Sequence, residues 1–267
     1  MTAPAADPDL LTWAVELTKE AGRRTLSRFR ADDLAIESKG DGTPVTEADK
    51  DAESYIRSEL AVAHPGDAIL GEEEGAAEGT SGRRWVIDPI DGTKAFMRGV
   101  PLYTGLTALE DEHGWLVSVI NMPAIGECVY AGRGLGCFQD DRQGERRPAR
   151  VGERSETPFM MASGYTRWDE TALLNVKRAG WALRTWGDGF GYALVATGRA
   201  DAMVDPAAAL WDVAPMPLVI AEAGGRFTTI DGGELDTSDP LAASGVATNG
   251  ERHEELLSLL VPGQPAA

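Results

Sequence analysis

Over residues 102–138 the chain reads as strand after strand, broken at 110–114, 123–126 and 132–136. Short apolar runs separated by glycine, proline and acidic turns predict a meander of mostly antiparallel strands. Beyond it the pattern alternates. Strands are expected at 159–162, 183–186, 202–205 and near 246–248, and helices at 170–179, 192–198 and 251–260. A further helix follows Asp212, distorted at Pro217 and stopped at Gly224-Gly225. Upstream, Leu10, Ala14, Leu17 and Ala21 recur at helical spacing, as do Ala52, Tyr55, Ile56 and Leu60 after a capping box formed by Thr46 and Asp49. This order predicts an α/β (α+β) layered sandwich of alternating helix and sheet layers in two lobes. The charged, turn-rich stretch 140–157 marks the boundary, giving an N-terminal lobe at 1–150 and a C-terminal lobe at 151–267 within one structural unit.

Charge narrows the function. In 267 residues, 43 Asp+Glu against 25 Lys+Arg leave a net charge of −18, with no basic block to attract nucleic acid or an anionic bilayer. No apolar run approaches the ~20 residues that span a membrane, and the start lacks the features of a secretory signal. Cys128 and Cys137 form neither a disulfide framework nor a metal-binding CxxC pair, so a reducing, cytoplasmic setting is expected. Three histidines, none in HxH or HExxH, leave little material for histidine-based zinc or phosphotransfer chemistry. Carboxylates are expected to do the chemistry.

The most informative stretch is Asp88-Pro-Ile-Asp-Gly-Thr93, standing at the end of a short strand. A tight turn there can aim both carboxylates and the Ile90 carbonyl at one point, as hard oxygen ligands suited to magnesium; the same residues also make an ordinary Asp/Gly/Pro turn. Glu72 ends a neighbouring strand, in Gly71-Glu-Glu-Glu74, which also reads as a solvated acidic turn. Asp212 and Asp49 each have a sufficient helix-capping role. If these acids converge, two unit charges at 4 Å repel by about 4 kcal/mol at an effective dielectric near 20, so they need bound cations or raised pKa values.

Asp88-Pro-Ile-Asp-Gly-Thr93, Gly71-Glu72-Glu73, and Trp211-Asp212-Val-Ala followed by Glu222-Ala-Gly-Gly225 resemble the signatures of the inositol monophosphatase family. Lys39 to Asp49, reading K-x₄-P-V-T-E-x-D, resembles that family's N-terminal loop. The resemblance runs from about Leu10 to Leu260 and implies an inositol monophosphatase-like fold and a magnesium-dependent, lithium-sensitive phosphomonoesterase, commonly a homodimer. It implies that Glu72, Asp88 and the Ile90 carbonyl hold one Mg²⁺, and that Asp88, Asp91 and Asp212 hold a second. A third, weaker ion would sit towards Glu72 and Asp49, and Mn²⁺ is a possible substitute. Thr93 with Glu72 would orient or deprotonate the attacking water, and the Gly92 and Thr93 backbone would meet the phosphate.

Trp186-Gly187-Asp188 followed by Gly191-Tyr192 resembles the histidinol-phosphate phosphatase branch, while Phe190 departs from the tyrosine expected there. Asp205 matches the family position that contacts the substrate's organic part. Two acids near the leaving group suit a cationic amino alcohol, unless each pairs with an arginine such as Arg184. Trp186 and Tyr192 also read as core residues, Asp188 as a helix cap, and Asp205-Pro206 as a turn. The expected substrate is therefore L-histidinol phosphate, in histidine biosynthesis, with inositol-1-phosphate as the alternative. Nucleotide 3′-phosphatase and fructose-1,6-bisphosphatase activities rank lower, as does a non-catalytic dimeric binding protein, since every matched ligand position is filled.

Overall fold

Two amphipathic helices begin the chain. Helix α1 (Pro8–Leu26) starts where the Asp7 carboxylate accepts from the Asp9 amide. Helix α2 (Glu47–Ala63) carries the expected capping box, with Thr46 and Asp49 exchanging hydrogen bonds. A small hairpin, β1 (Ile36–Ser38) with β2 (Pro44–Thr46), precedes α2. The computed structural model describes residues 3–31, 33–34, 36–38, 44–153, 155–164 and 167–260, so Lys39, part of the expected N-terminal loop, lies outside the described residues.

The large sheet comprises β3 (Ala68–Gly71), β4 (Gly75–Ala77), β5 (Arg84–Asp91), β6 (Thr104–Asp111), β7 (Gly114–Met122), β8 (Glu127–Gly132), β9 (Gly136–Asp140) and β10 (Arg146–Pro148). Its order is β10-β9-β8-β7-β6-β5-β3-β4, and only β3 and β5 pair in parallel. The antiparallel meander is as expected, but β10 occupies part of the stretch read as a boundary, because Arg146–Pro148 pairs with Phe138, Gln139 and Asp140. The acidic motif also differs from expectation. It does not follow the strand but lies within β5, where a register shift between Asp88 and Asp91 against β6 absorbs the turn. Helix α3 (Thr93–Met97) follows Gly92, which is left-handed at φ 83°.

The second sheet has the order β12-β11-β13-β15-β14. Its strands are β11 (Phe159–Ala162), β12 (Ala182–Arg184), β13 (Ala202–Ala208), β14 (Arg226–Thr228) and β15 (Ala243–Thr248). The helices between them are α4 (Glu170–Arg178), α5 (Asp188–Ala196), α6 (Leu210–Val213), α7 (Met216–Glu222) and α8 (His253–Leu260). The helix expected after Asp212 is two helices meeting at Ala214-Pro215, since prolines 215 and 217 each remove a backbone donor.

Helices α1 and α2 cover one face of the large sheet, burying Leu11, Leu17, Ile56 and Leu60 against Trp85 and Val117. Helices α5 and α7 lie between the sheets, where Tyr192, Val195, Val219 and Ile220 meet Ile120, Val129 and Met203. Helices α4 and α8 pack together, and their apolar side chains meet Met160, Val204 and Val246. The sequence of layers is helix, sheet, helix, sheet, helix.

His253 is fully buried in that last layer, its ring nitrogens 2.9 Å from the hydroxyls of Thr228 and Thr248. Burial, reinforced by Arg226, pushes its pKa from 6.5 down to about 4. The neutral ring is therefore part of the fold, and its contribution is complete above pH 6.5. As pH falls from there towards 4 the unfolded chain takes up a proton that the native state refuses, and stability is lost. Urea unfolding of the wild type is expected to lose more stability over this window than that of His253→Gln. Equal pH slopes would contradict this reading.

Candidate active site

The carboxylates singled out in the sequence come from four places in the fold and converge around one cleft, which Glu72, Asp91 and Asp212 line. Strands β3 and β5 run in parallel with Gly71 opposite Ile87, and the Glu72 amide donates to the Ile87 carbonyl, so Glu72 and Asp88 leave adjacent strands side by side. Asp91 follows at the end of β5. Asp212 sits in the first turn of α6, where Oδ2 accepts the Ala209 amide at 2.8 Å; it is not the cap residue itself. Asp88, Asp91 and Asp212 each bring a carboxylate oxygen within 4.8 Å of the others. Asp49 lies in α2, fully buried.

Local hydrogen bonds hold these side chains in place. Asp91 Oδ2 accepts from Thr104 Oγ1 at 2.7 Å and from the Gly189 amide at 2.5 Å. The start of α5 is thereby tied to β5 by a carboxylate from the other sheet, a long-range cap. Asp88 Oδ1 accepts the Ile90 amide at 3.0 Å, and the Ile90 carbonyl accepts from Thr93 Oγ1 at 3.1 Å while its side chain is buried in the core. Asp49 Oδ2 takes both Thr46 donors, and Asp49 Oδ1 is a buried acceptor with no hydrogen-bond partner among the described residues.

Burial and crowding strain this cluster electrostatically. Burial raises Asp88 well above the usual carboxyl range, and Glu72, Asp91 and Asp212 add like charge. Burial, then Asp188 and Asp212, raise Asp91. Asp212 is pushed up to about 7 by burial and then by Glu72, Asp205 and Asp188, against the Ala209 hydrogen bond. Asp49 rises to about 6, through burial and Glu72. An all-oxygen donor set carrying this much compressed negative charge, with one buried oxygen unpaired among the described residues, fits hard divalent cations such as magnesium.

The cleft beside the cluster encloses about 810 Å³, and Glu72, Asp91, Asp188, Asp205 and Asp212 all line it. Asp188 opens α5, preceded by Gly187, and its carboxylate lies against Gly92; burial raises its pKa, and Lys94 opposes the rise. Asp205, at the register shift of β13, is raised to about 7 by burial, with Asp188 adding like charge. Positive φ angles at Trp186 (66°) and Asp188 (41°) mark strained backbone at the mouth. Trp186 is 42 % exposed on this wall, whereas Tyr192 is wholly buried in the core.

Not every expectation lands in the cleft. Gly187 is buried against Ala162 and Met203 and donates its amide to the Ala162 carbonyl, so it packs rather than lines. Arg184 is exposed, donates to the Leu183 carbonyl, and does not pair with either acid. Two cations that the sequence did not single out, Lys94 and Arg167, line the cleft instead. Lys94 directly follows the Asp88–Thr93 motif, and that adjacency was the available signal.

The model of the inositol monophosphatase family matches residues 7–264. A histidinol-phosphatase of Mycobacterium tuberculosis is 39% identical over 263 residues, 96% of this chain and 99% of that protein. An inositol-1-monophosphatase of Mesorhizobium japonicum is 34% identical over 250 residues, 89% of this chain and 92% of that protein. Among solved structures, the extragenic suppressor protein suhB from Bartonella henselae superposes with a TM-score of 0.84 at 28% identity, covering 96% of this chain and 99% of that one. With its carboxylates gathered on this fold and nearly its whole length matched, the chain belongs to the inositol monophosphatase family.

Proposed function

We propose that this protein is a Mg²⁺-dependent phosphatase that hydrolyses L-histidinol phosphate to L-histidinol and phosphate, in histidine biosynthesis. The observation that carries the reading is the carboxylate content of one cleft: Asp91 and Asp212, which cluster with Asp88, line it together with Asp188 and Asp205. The clustered acids suit cations and hence a phosphate; Asp188 and Asp205 suit the ammonium and imidazole of an amino alcohol. Similarity to a histidinol-phosphatase supports the same assignment.

In this reading Glu72, Asp88 and the Ile90 carbonyl would hold one ion. Asp88, Asp91 and Asp212 would hold the second, and Glu72 with Asp49 would face a weaker third. Ions bound there would supply Lewis-acid polarisation of the phosphate and of the attacking water, and charge stabilisation for the departing alkoxide. The residues of the chain do the positioning that phosphoryl transfer chiefly requires. Glu72 accepts the proton of the water that attacks phosphorus. Thr93 Oγ1, whose proton goes to the Ile90 carbonyl, keeps its lone pairs to orient that water. The backbone of Gly92 and Thr93, opening α3, meets the phosphate oxygens. The phosphorus–ester oxygen bond breaks, and the alkoxide leaves with a proton from solvent. A cytoplasmic homodimer completes the reading, in keeping with the family resemblance; no described helix is long and apolar enough to cross a membrane.

One observation favours the second reading, an inositol-1-phosphate phosphatase with the same mechanism. Lys94 already gives Asp188 a neighbouring cation, so the acid does not depend on a cationic substrate for compensation. Asp188→Ala separates the two. It is expected to lower kcat/KM for histidinol phosphate at least about tenfold more than for a neutral-alcohol phosphate, a difference of about 1.4 kcal/mol in transition-state binding. Equal losses on both substrates would return Asp188 to a structural role.

A further inference from the structure

Glu53 is a fully buried carboxylate that the mechanism above does not use. It projects from α2 towards the turn that follows β3. Its Oε2 accepts the Glu73 amide at 2.8 Å, and its Oε1 accepts the Glu74 amide at 3.0 Å. Arg57, one turn further along α2, grips the same Oε1 with Nε and a terminal nitrogen, both at 2.9 Å. The guanidinium also donates to the Gly75 carbonyl. The pair therefore holds three consecutive residues of the turn, 73 to 75, from within.

Close packing fixes the other side. A Cβ on Gly71 would lie 2.5 Å from Glu53 Cδ and nearer still to Oε1, so the carboxylate rests directly on the Gly71 backbone. Glu72 is thus bounded by Gly71, pressed by the carboxylate, and by Glu73, whose amide that carboxylate accepts. Its own amide is held by the Ile87 carbonyl of β5. With the backbone set at each of these points, the Glu72 side chain is directed to the cleft it lines, beside Asp88.

We propose that Glu53, braced by Arg57, is a positioning residue that fixes the backbone of the Glu72 turn and thereby the metal-binding and proton-accepting geometry of Glu72. The cost of burying its charge is met by two amide hydrogen bonds and a guanidinium, an arrangement costly to keep for folding alone yet well suited to holding one loop rigid. A carboxylate that orients a neighbouring ligand without touching the ion commonly affects affinity by about 10–100-fold. The inference rests on the reading of Glu72 as a ligand, and its test separates the two.

The experiment is equilibrium binding of Mn²⁺ to the metal-free protein, followed by electron paramagnetic resonance, for wild type, Glu53→Gln, Glu72→Gln and the double variant. Glutamine keeps the length of Glu53 but turns a donor towards one of the amides or the guanidinium. The expected result is a Kd about tenfold or more higher for Glu53→Gln, and a double variant no weaker than Glu72→Gln alone. Weakened binding in Glu72→Gln with unchanged binding in Glu53→Gln overturns the inference alone. Unchanged binding in Glu72→Gln overturns the ligand reading and the inference with it. A further tenfold loss on adding Glu53→Gln to Glu72→Gln also overturns the inference, since the effect would not pass through Glu72. If Glu53→Gln does not fold, Arg57→Lys takes its place: a several-fold higher Kd supports the brace, and an unchanged one overturns it.

Discussion

Asp91→Asn is expected to lower phosphate release by more than about 100-fold, a loss that changes to mere supporting partners of a metal ligand can reach. The reason lies in how the side chain divides its work. One oxygen accepts from Thr104 and Gly189, and the carboxylate also belongs to the cluster with Asp88 and Asp212. Asparagine can keep its carbonyl oxygen on the two donors, so the tie between β5 and α5 survives. Its amide nitrogen then faces the cation site as a donor, where an anion is needed. Removing one of several crowded charges also relieves repulsion, so the metal-free variant is expected to unfold no earlier than the wild type. Mg²⁺ at about 100 times its Kd stabilises the wild type by about 2.7 kcal/mol; most of that gain should vanish in the variant. Near-normal turnover of Asp91→Asn in saturating Mg²⁺ would count against the assignment.

Gly189→Ala reaches the same carboxylate from the opposite side. Alanine in a helix is ordinarily favoured over glycine by about 1 kcal/mol. Here its Cβ would lie 2.8 Å from Asp91 Oδ2, 3.0 Å from Leu106 Cδ2, and closer still to Thr104 Oγ1. Overpacking of this kind typically costs 1–3 kcal/mol, which exceeds the helical gain. The variant is expected to show a lower urea midpoint and, because Asp91 must move, a kcat reduced by at least about tenfold. A variant as stable and as active as the wild type would show that α5 does not press on Asp91.

What was legible in the sequence was local. The capping box of Thr46 and Asp49, the meander, the alternating second half and the acidic motifs each announce themselves over a few residues. What was hidden depends on distant pairing. Strand β5 continues through Asp91 because β6 tolerates a shifted register, and nothing between Asp88 and Asp91 announces that partner. The capping of α5 by Asp91 joins residues 98 positions apart. Glu53 reads as one more charge on an amphipathic helix until β3 is laid against it. Arg167 enters the cleft for the same reason, whereas Lys94 follows the acidic motif directly, and both modify the argument from charge: the lining that includes Asp188 and Asp205 is mixed, not purely acidic.

The most direct measurement is phosphate release from histidinol phosphate, inositol-1-phosphate, fructose 1,6-bisphosphate and adenosine 3′,5′-bisphosphate, each with Mg²⁺ and after its removal by chelation. The account predicts turnover that requires the metal, is inhibited by Li⁺, and is greatest in kcat/KM for histidinol phosphate. Equal or better hydrolysis of inositol-1-phosphate would contradict the substrate assignment, and undiminished hydrolysis without Mg²⁺ would contradict the mechanism.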